Sequence, residues 1–94
     1  MENLPSLEML ESVHDFPGIY MFKVIGKVED AFVARVVTAV REELQLPMDP
    51  PFTLRQTASG RHVAITLEPT VQASTDVIAV YRRVRQIEGL VKLC

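Results

Sequence analysis

Hydrophobic and polar residues alternate one by one in the middle of the chain. The apolar side chains of the segment 60–68 occupy every second position, namely Val63, Ile65 and Leu67. A period of two residues is typical of a β-strand that buries one of its faces. We therefore predict a strand over residues 60–68, near the middle of a sheet. It should end near Glu68 and Pro69, because proline cannot donate a ladder hydrogen bond.

The segment 19–25 shows the same alternation. If Lys23 faces solvent, the residues on the opposite face of this strand point to the core. Those core-facing residues are Tyr20, Phe22 and Val24. Met21 and Ile25 then share the open face with Lys23, and we expect Gly26 to end the strand.

Two further segments, 52–57 and 90–94, also alternate. The first follows two prolines and is joined to the strand over 60–68 by a short turn that contains glycine, which predicts a hairpin. In the last strand, Lys92 faces solvent. The residues of these two strands that we expect to point inward are Phe52, Leu54, Val91 and Leu93.

Two segments between the strands have apolar residues at three- and four-residue spacing, which is typical of amphipathic helices. We expect Glu29 or Asp30 to cap the first helix, and Ser74 or Thr75 to cap the second. Gly89 suits the left-handed position that follows a helix. The apolar stripes are Phe32, Val33, Val36, Val37, Val40 and Leu44 in the first helix, and Val77, Val80, Tyr81, Val84 and Ile87 in the second.

The predicted elements follow the order β-α-β-β-α-β. Right-handed crossovers place both helices on one face of a four-stranded antiparallel sheet with the spatial order 4-1-3-2. The sequence therefore predicts an α+β fold, the ferredoxin-like sandwich, as a single domain over residues 19–94. Residues 1–18 are expected to form an N-terminal arm, in which Pro5 and Ser6 can start a short helix over 7–11.

Composition is that of one globular domain. Of the 94 residues, 48% are hydrophobic and 23% are charged, and the formal net charge is −2. This charge provides no general attraction to nucleic acid or to an anionic membrane. The sequence shows neither a signal peptide nor a run of about 20 apolar residues, so we expect a cytoplasmic protein. A single cysteine, Cys94, excludes an internal disulfide and a cysteine cluster for a metal.

No pattern of catalytic residues stands out. His14 and His62 are far apart in sequence, and neither is paired visibly with a serine or cysteine nucleophile. The open sheet face has no aromatic residue on which bases could stack, which disfavours RNA recognition. We therefore expect no catalytic site, no metal site and no cofactor.

Four short motifs resemble those of the YbeD-like family of small bacterial proteins of unknown function. They lie before the first helix, around the hairpin, in the second helix and in the last strand, at Phe22–Gly26, Thr57–Leu67, Val80–Arg82 and Gly89–Leu93. The similarity covers residues 16–94. It departs at residues 68–72, where the link to the second helix is longer, and before Arg61, where the turn is compressed. The resemblance implies an ACT-like fold, similar to that of regulatory domains that bind small metabolites at domain interfaces.

Lys23, Gly26 and Lys27 form the candidate ligand site. Gly26 opens the approach to the N-terminus of the first helix, which is a natural place for an anion, and the two lysines add positive charge. A small anionic metabolite is the predicted ligand. The alternative is a plain strand exit whose lysines are solvated.

Two surfaces are candidate interfaces. The open sheet face is partly apolar, which favours contact with a second copy, the N-terminal arm or a partner. Its residues of interest are Met21, Ile25, Ala64 and Thr66. A homodimer through this face or through an edge strand is one prediction. Arg82 and Arg83 on the second helix are the other candidate surface, although a solvated helix face also explains them.

These observations rank three hypotheses. The first is a non-enzymatic ACT-like regulatory or interaction module that self-associates and binds a small anionic metabolite. The alternative is an adaptor that binds a protein partner and no small ligand. A small enzyme is the least favoured.

Overall fold

The computed structural model describes residues 4–94, and its central element is a four-stranded antiparallel sheet. In chain order the elements are α1 (Leu7–Val13), β1 (Gly18–Ile19), β2 (Phe22–Lys27), α2 (Phe32–Glu43), β3 (Phe52–Gln56), β4 (His62–Leu67), β5 (Thr70–Val71), α3 (Ser74–Val84) and β6 (Leu90–Leu93). The main sheet has the order β3-β4-β2-β6, and β1 pairs separately with β5. Because the four predicted strands correspond to β2, β3, β4 and β6, this order confirms the predicted ferredoxin-like fold.

The core lies between one face of the main sheet and the helices α2 and α3. In the pairing of β2 with β4, Val24 is opposite Ile65 and Phe22 is opposite Leu67, and all four are at most 1% exposed. The helices supply the other half of the core with Phe32, Val36, Val37, Val40, Val77, Val80, Tyr81 and Val84. The core faces predicted for the first and third strands and for both helices are thus confirmed.

The edge strand β3 is not covered in the way that its alternation suggests. Phe52 and Leu54 lie opposite Leu67 and Ile65 of β4, and therefore on the helix side of the sheet. They nevertheless remain 39% and 52% exposed. The predicted side of the sheet is thus confirmed, but the two residues do not join the core, because alternation reports the side of the sheet and not whether a helix covers it.

The first strand begins later and ends later than predicted. Gly18 and Ile19 form the separate strand β1, which pairs with β5. Regular pairing within the main sheet covers Phe22–Lys27, so Gly26 lies inside β2 and does not end it. The expected break near Pro69 is confirmed, since β4 ends at Leu67.

Neither of the two long helices begins with the predicted cap. Asp30 and Ala31 have positive φ angles of 52° and 55°, and no side chain caps α2. At α3 the cap position is Ala73, and Ser74 is already helical. The Ser74 hydroxyl donates a hydrogen bond of 2.6 Å to the Glu11 carboxylate of α1. Both cap predictions are wrong because tertiary contacts, which local sequence does not reveal, determine how the chain enters each helix.

A β-bulge changes which side of the sheet the residues of β6 face. Its pairing with β2 shifts by one residue midway along the strand, and both Leu90 and Leu93 pack against the core. Val91 is 54% exposed, so the prediction that it points inward is wrong. An extra residue in one strand interrupts the two-residue period on which that prediction was based. Gly89 has the predicted positive φ, 98°, although α3 itself ends before it.

The short helix α1 packs on α3 through a buried leucine. The Ser6 hydroxyl oxygen accepts a hydrogen bond of 3.1 Å from the Met9 N–H, and Leu10 is only 2% exposed. The division into an arm over 1–18 and a domain over 19–94 stays a prediction, and residues 1–3 of that arm lie outside the described residues.

Candidate functional site

A groove lies between the start of α2 and the helix side of β3 and β4. It has a volume of about 590 Å³ and is lined by residues 27–33 together with Leu54, Gln56 and Val63. Leu54 is 52% exposed and Val28 is 47% exposed. Ligand sites in proteins are mostly apolar concavities of about 300–1,000 Å³. The groove therefore has the size and character of a site for a small molecule.

The loop that forms one wall of the groove is held by backbone and arginine contacts. The Val28 N–H donates to the Arg61 carbonyl at 3.0 Å. The Arg35 guanidinium donates to the carbonyls of Asp30 at 2.9 Å and Glu88 at 3.0 Å. These bonds tie the entry of α2 to the connection between α3 and β6, so the wall is positioned by three separate parts of the fold.

Gly26 is pressed against an aromatic ring. A Cβ atom at this position would lie 2.2 Å from atoms of the Phe32 ring. The missing side chain at Gly26 therefore makes room for Phe32, which is 2% exposed at the beginning of α2. In this structure Gly26 positions the floor of the groove through Phe32 and does not itself line the groove.

The two lysines of the predicted ligand site are separated. Lys27 is among the residues that line the groove. Lys23 lies opposite Thr66 on the open face of the sheet, and it is not among the lining residues. The structure thus brings Lys27 to the groove with Val28, Leu54 and Gln56, three residues that the sequence prediction missed. The alternation of β3 predicted the side of the sheet on which Leu54 lies, but no sequence signal indicated that it would stay exposed beside Val28.

The predicted open-face residues lie together on two neighbouring strands. Ile25 is opposite Ala64, and both are half-buried. Thr66 follows on the same face of β4. Met21 is 52% exposed but precedes the first residue of β2.

Arg83 is engaged within the protein. Its guanidinium donates to the Glu42 carboxylate and lies 3.5 Å from the Glu43 carboxylate. These contacts, the Glu42 hydrogen bond first, raise the pKa of Arg83 above its usual value. The arginine therefore links α3 to α2. Arg82, its neighbour, is exposed.

A pair of buried tyrosines joins the sheet side of the core to α3. The hydroxyls of Tyr20 and Tyr81 are 3.0 Å apart and share a hydrogen bond. Burial, followed by the hydrogen bond to Tyr20, raises the pKa of Tyr81 above its ordinary value. Each tyrosine was predicted to face the core, but residues 61 positions apart gave no sign that their hydroxyls meet.

The described residues contain neither a cluster of metal-ligating side chains nor a helix that could span a membrane. Within residues 4–94, no three histidine, cysteine, aspartate or glutamate side chains are grouped as a metal site would require. Across the same range, every helix is too short or too polar to cross a lipid bilayer.

Comparison with known proteins identifies the family. The family model described as a protein of unknown function, DUF493, matches residues 11–94. The chain belongs to the DUF493 family. Among the relatives of this DUF493 protein is a UPF0250 protein of Shewanella putrefaciens, 30% identical over 85% of this chain and 89% of the relative. A second, from Shewanella loihica, is 32% identical over 81% of this chain and 84% of the relative. The YbeD-like resemblance is confirmed.

A solved structure supports the fold of this DUF493 protein independently. The ACT domain from the GTP pyrophosphokinase of Chlorobium tepidum aligns with a TM-score of 0.61 over 81% of this chain and 94% of that domain. Sequence identity is 10%, so the similarity is one of fold. The ACT-like architecture expected from the sequence is thus confirmed.

Proposed function

We propose that this DUF493 protein is a non-enzymatic regulatory module that binds a small, carboxylate-bearing metabolite in the groove between α2 and β3. The groove, with its volume of about 590 Å³, is the observation that carries the proposal. Its exposed apolar residues, Val28 and Leu54, would contact the carbon skeleton of the ligand.

The start of α2 supports the carboxylate part of this proposal. No side chain caps this helix, and the partial positive charge of a helix N-terminus favours an anion. Lys27 adds a positive charge at the same rim. Glu29 and Asp30 also line the groove, and their carboxylates favour a ligand that carries a cationic group beside its carboxylate. An amino acid has both groups.

A thermal-unfolding screen tests this proposal. Amino acids, and carboxylates that lack an amine, would each be added to the purified protein. A ligand at about 100 times its dissociation constant stabilises the folded state by about 2.7 kcal/mol, which is a clear rise in melting temperature. If no compound raises the melting temperature, the proposed function is wrong.

A matched pair of variants locates the site. Val28→Glu places a negative charge in the groove and should weaken a carboxylate ligand by about tenfold or more. Met48→Glu makes the same change at a loop residue that is 72% exposed and does not line the groove. Equal effects of the two substitutions would place the ligand elsewhere.

Self-association through the edge strand β3 is the second part of the proposal. The Thr57 N–H donates to the His62 carbonyl, and the Glu68 N–H donates to the Pro51 carbonyl. Hydrogen-bonded and non-hydrogen-bonded pairs alternate along an antiparallel ladder. Between Pro51 and Thr57, the non-bonded positions of β3 are therefore Phe52, Leu54 and Gln56. The backbone N–H and C=O groups of these three residues point away from β4. An apolar edge with free backbone groups favours the addition of another strand, and a second copy offers the same edge.

The alternative function is an adaptor that binds a protein partner and no small ligand through Arg82 and Arg83. The ion pairs of Arg83 with α2 make this surface less available than the sequence suggests. Loss of a protein partner on charge reversal at these two arginines, together with a negative ligand screen, would favour this alternative.

A further inference from the structure

Charge is distributed unevenly between the sheet and the rest of the fold. The four strands of the main sheet contain four lysine and arginine residues, namely Lys23, Lys27, Arg55 and Lys92, and no aspartate or glutamate. All 12 acidic residues of the chain lie outside these strands. The sheet is therefore cationic in a protein whose formal net charge is −2.

Strand register places the four cations on the open face, the one that no helix covers. Lys92 of β6 is opposite Ile25 of β2, Ile25 is opposite Ala64 of β4, and Ala64 is opposite Arg55 of β3. These four residues form one row across the sheet. Lys23 and Lys27 flank Ile25 on β2, each two residues away and therefore on the same face. Lys27 is the last residue of β2 and also borders the groove.

The positive charges thus surround a small apolar centre. Neighbouring strands lie about 4.8 Å apart, so the backbones of Lys92 and Arg55 are separated by about 14 Å across the sheet. Along β2, four residues at about 3.3 Å each separate Lys23 from Lys27 by about 13 Å. Ile25 and the short side chain of Ala64 occupy the middle.

Within residues 4–94, none of these four cations forms an ion pair. Arg41, for example, pairs with Asp49, and Arg83 pairs with Glu42 and Glu43. Glu68 follows the end of β4 and lies at the rim. Uncompensated like charges on one face raise the local potential and attract an anionic partner.

We propose that the open face of the sheet is a docking surface for an acidic α-helical segment of another protein. A helix is about 10–12 Å wide with its side chains and fits between Lys92 and Arg55, over Ile25 and Ala64. Acidic residues on that helix at spacings of three, four and seven positions span about 10 Å, which brings them within reach of the flexible lysine side chains. A helix is also the usual cover for a sheet face.

Two other occupants fit less well. In a symmetric homodimer through this face the same patch meets itself, so lysines and arginines would face one another. For single-stranded nucleic acid, binding surfaces combine positive charge with aromatic side chains on which bases stack, and the residues of this face include no aromatic ring other than His62. Charge complementarity therefore favours the acidic protein segment.

An NMR titration tests the proposal with a defined probe. The probe is a synthetic amphipathic helical peptide of glutamate, alanine and leucine, added to 15N-labelled protein at low salt. We expect chemical-shift changes at the amides of Lys23, Ile25, Ala64 and Lys92. The affinity for the peptide should fall steeply as added salt shortens the Debye length below about 10 Å. The same peptide with lysine in place of glutamate should not bind.

Charge reversal supplies the matched control. Lys23→Glu combined with Lys92→Glu should weaken the peptide by at least about tenfold. Arg61→Glu combined with Arg82→Glu changes the net charge equally but lies off the open face, and should have less than about a twofold effect. The salt titration of the unaltered protein provides a test that requires no variant.

Three results would overturn the proposal. One is a set of shift changes confined to α3 or to the groove, with the open face unaffected. Another is an equal loss of affinity in both charge-reversed proteins, which would indicate net charge alone. The third is tighter binding of a single-stranded oligonucleotide than of the acidic peptide, which would identify nucleic acid as the occupant. Lys27 borders both surfaces, but the variants and the monitored amides of this test belong to Lys23, Ile25, Ala64 and Lys92, none of which lines the groove. Failure of this test therefore leaves the proposed ligand site unaffected.

Discussion

At the scale of single residues, packing decides the role of several positions that look functional in the sequence. Gly26 was expected to admit an anion, and in the structure it lies against the Phe32 ring. Gly89 lies near the same ring, where a Cβ atom would be 3.2 Å from a ring carbon. Two glycines thus leave space for one aromatic side chain at the start of α2.

We predict that Gly26→Ala lowers the free energy of unfolding by about 1–3 kcal/mol, because the added methyl group forces the Phe32 ring to move. Denaturant unfolding measures this change. In a Phe32→Leu background the smaller side chain relieves the clash, so the same substitution should cost less. An equal cost in both backgrounds would contradict the role assigned to Phe32.

Burial of Tyr81 predicts a loss of stability at high pH. Its pKa is raised in the folded protein above the value of about 10 in an unfolded chain, so the unfolded state releases this proton first. The stabilisation is complete below about pH 10 and falls as pH rises toward the folded pKa. Unfolding free energies measured at about pH 8 and about pH 11 should show this fall.

Tyr81→Phe is the control for this pH dependence. It removes the titrating hydroxyl and the hydrogen bond to Tyr20, which should cost about 0.5–1.5 kcal/mol near neutral pH. Between neutral and alkaline pH it should lose less stability than the unaltered protein. If both proteins lose the same amount, Tyr81 does not cause the alkaline fall.

At the scale of elements, the most informative strand is β3. It is an edge strand that presents Phe52 and Leu54 on the helix side without a helix above them. The same exposure provides one wall of the groove and leaves an apolar edge beside it. The proposed ligand site and the proposed self-association therefore both involve a strand that the fold leaves partly uncovered.

We predict that Leu54→Lys prevents self-association, because a charge on an edge strand opposes the addition of another strand. Sedimentation at several concentrations measures the effect. Met48→Lys, which replaces an apolar loop residue that is 72% exposed, should leave association unchanged. An unaltered protein that stays monomeric at every concentration would refute association through β3.

The sequence was sufficient for the strands and helices that obey a single period. The alternation in β2 and β4 and the stripes of α2 and α3 predicted most of the core, because one face of each element is buried. The order of these elements, with right-handed crossovers, predicted the sheet order. Prediction from the sequence failed where tertiary structure overrides the local pattern. The three places are the bulge of β6, the uncovered strand β3 and the left-handed entry of α2. The groove could not be predicted because it forms between elements that meet only in the folded chain.

At the scale of the whole molecule, α1 contributes a side chain to the main core. Leu10 is 2% exposed and is part of the same core cluster as Tyr20 and Tyr81. The hydrogen bond from Ser74 to Glu11 fixes the contact between α1 and α3. A single unfolding transition is the expected consequence.

We predict that Leu10→Ala lowers the free energy of unfolding by about 2–5 kcal/mol, as expected for a truncated core leucine. Met9→Ala, at a neighbouring position that is 60% exposed, should change it by less than about 0.5 kcal/mol. Chemical denaturation of both variants measures the difference. A small effect of Leu10→Ala would show that α1 is a separable arm, as the division at residue 18 suggests.

The acid-free sheet affects how the protein behaves on a charged resin. A formal charge of −2 suggests that an anion exchanger should retain the protein and a cation exchanger should not. A resin contacts one side of a molecule at a time, however, and the open face offers a cation exchanger four positive side chains. At low ionic strength both resins should retain the protein, each holding it by the opposite side.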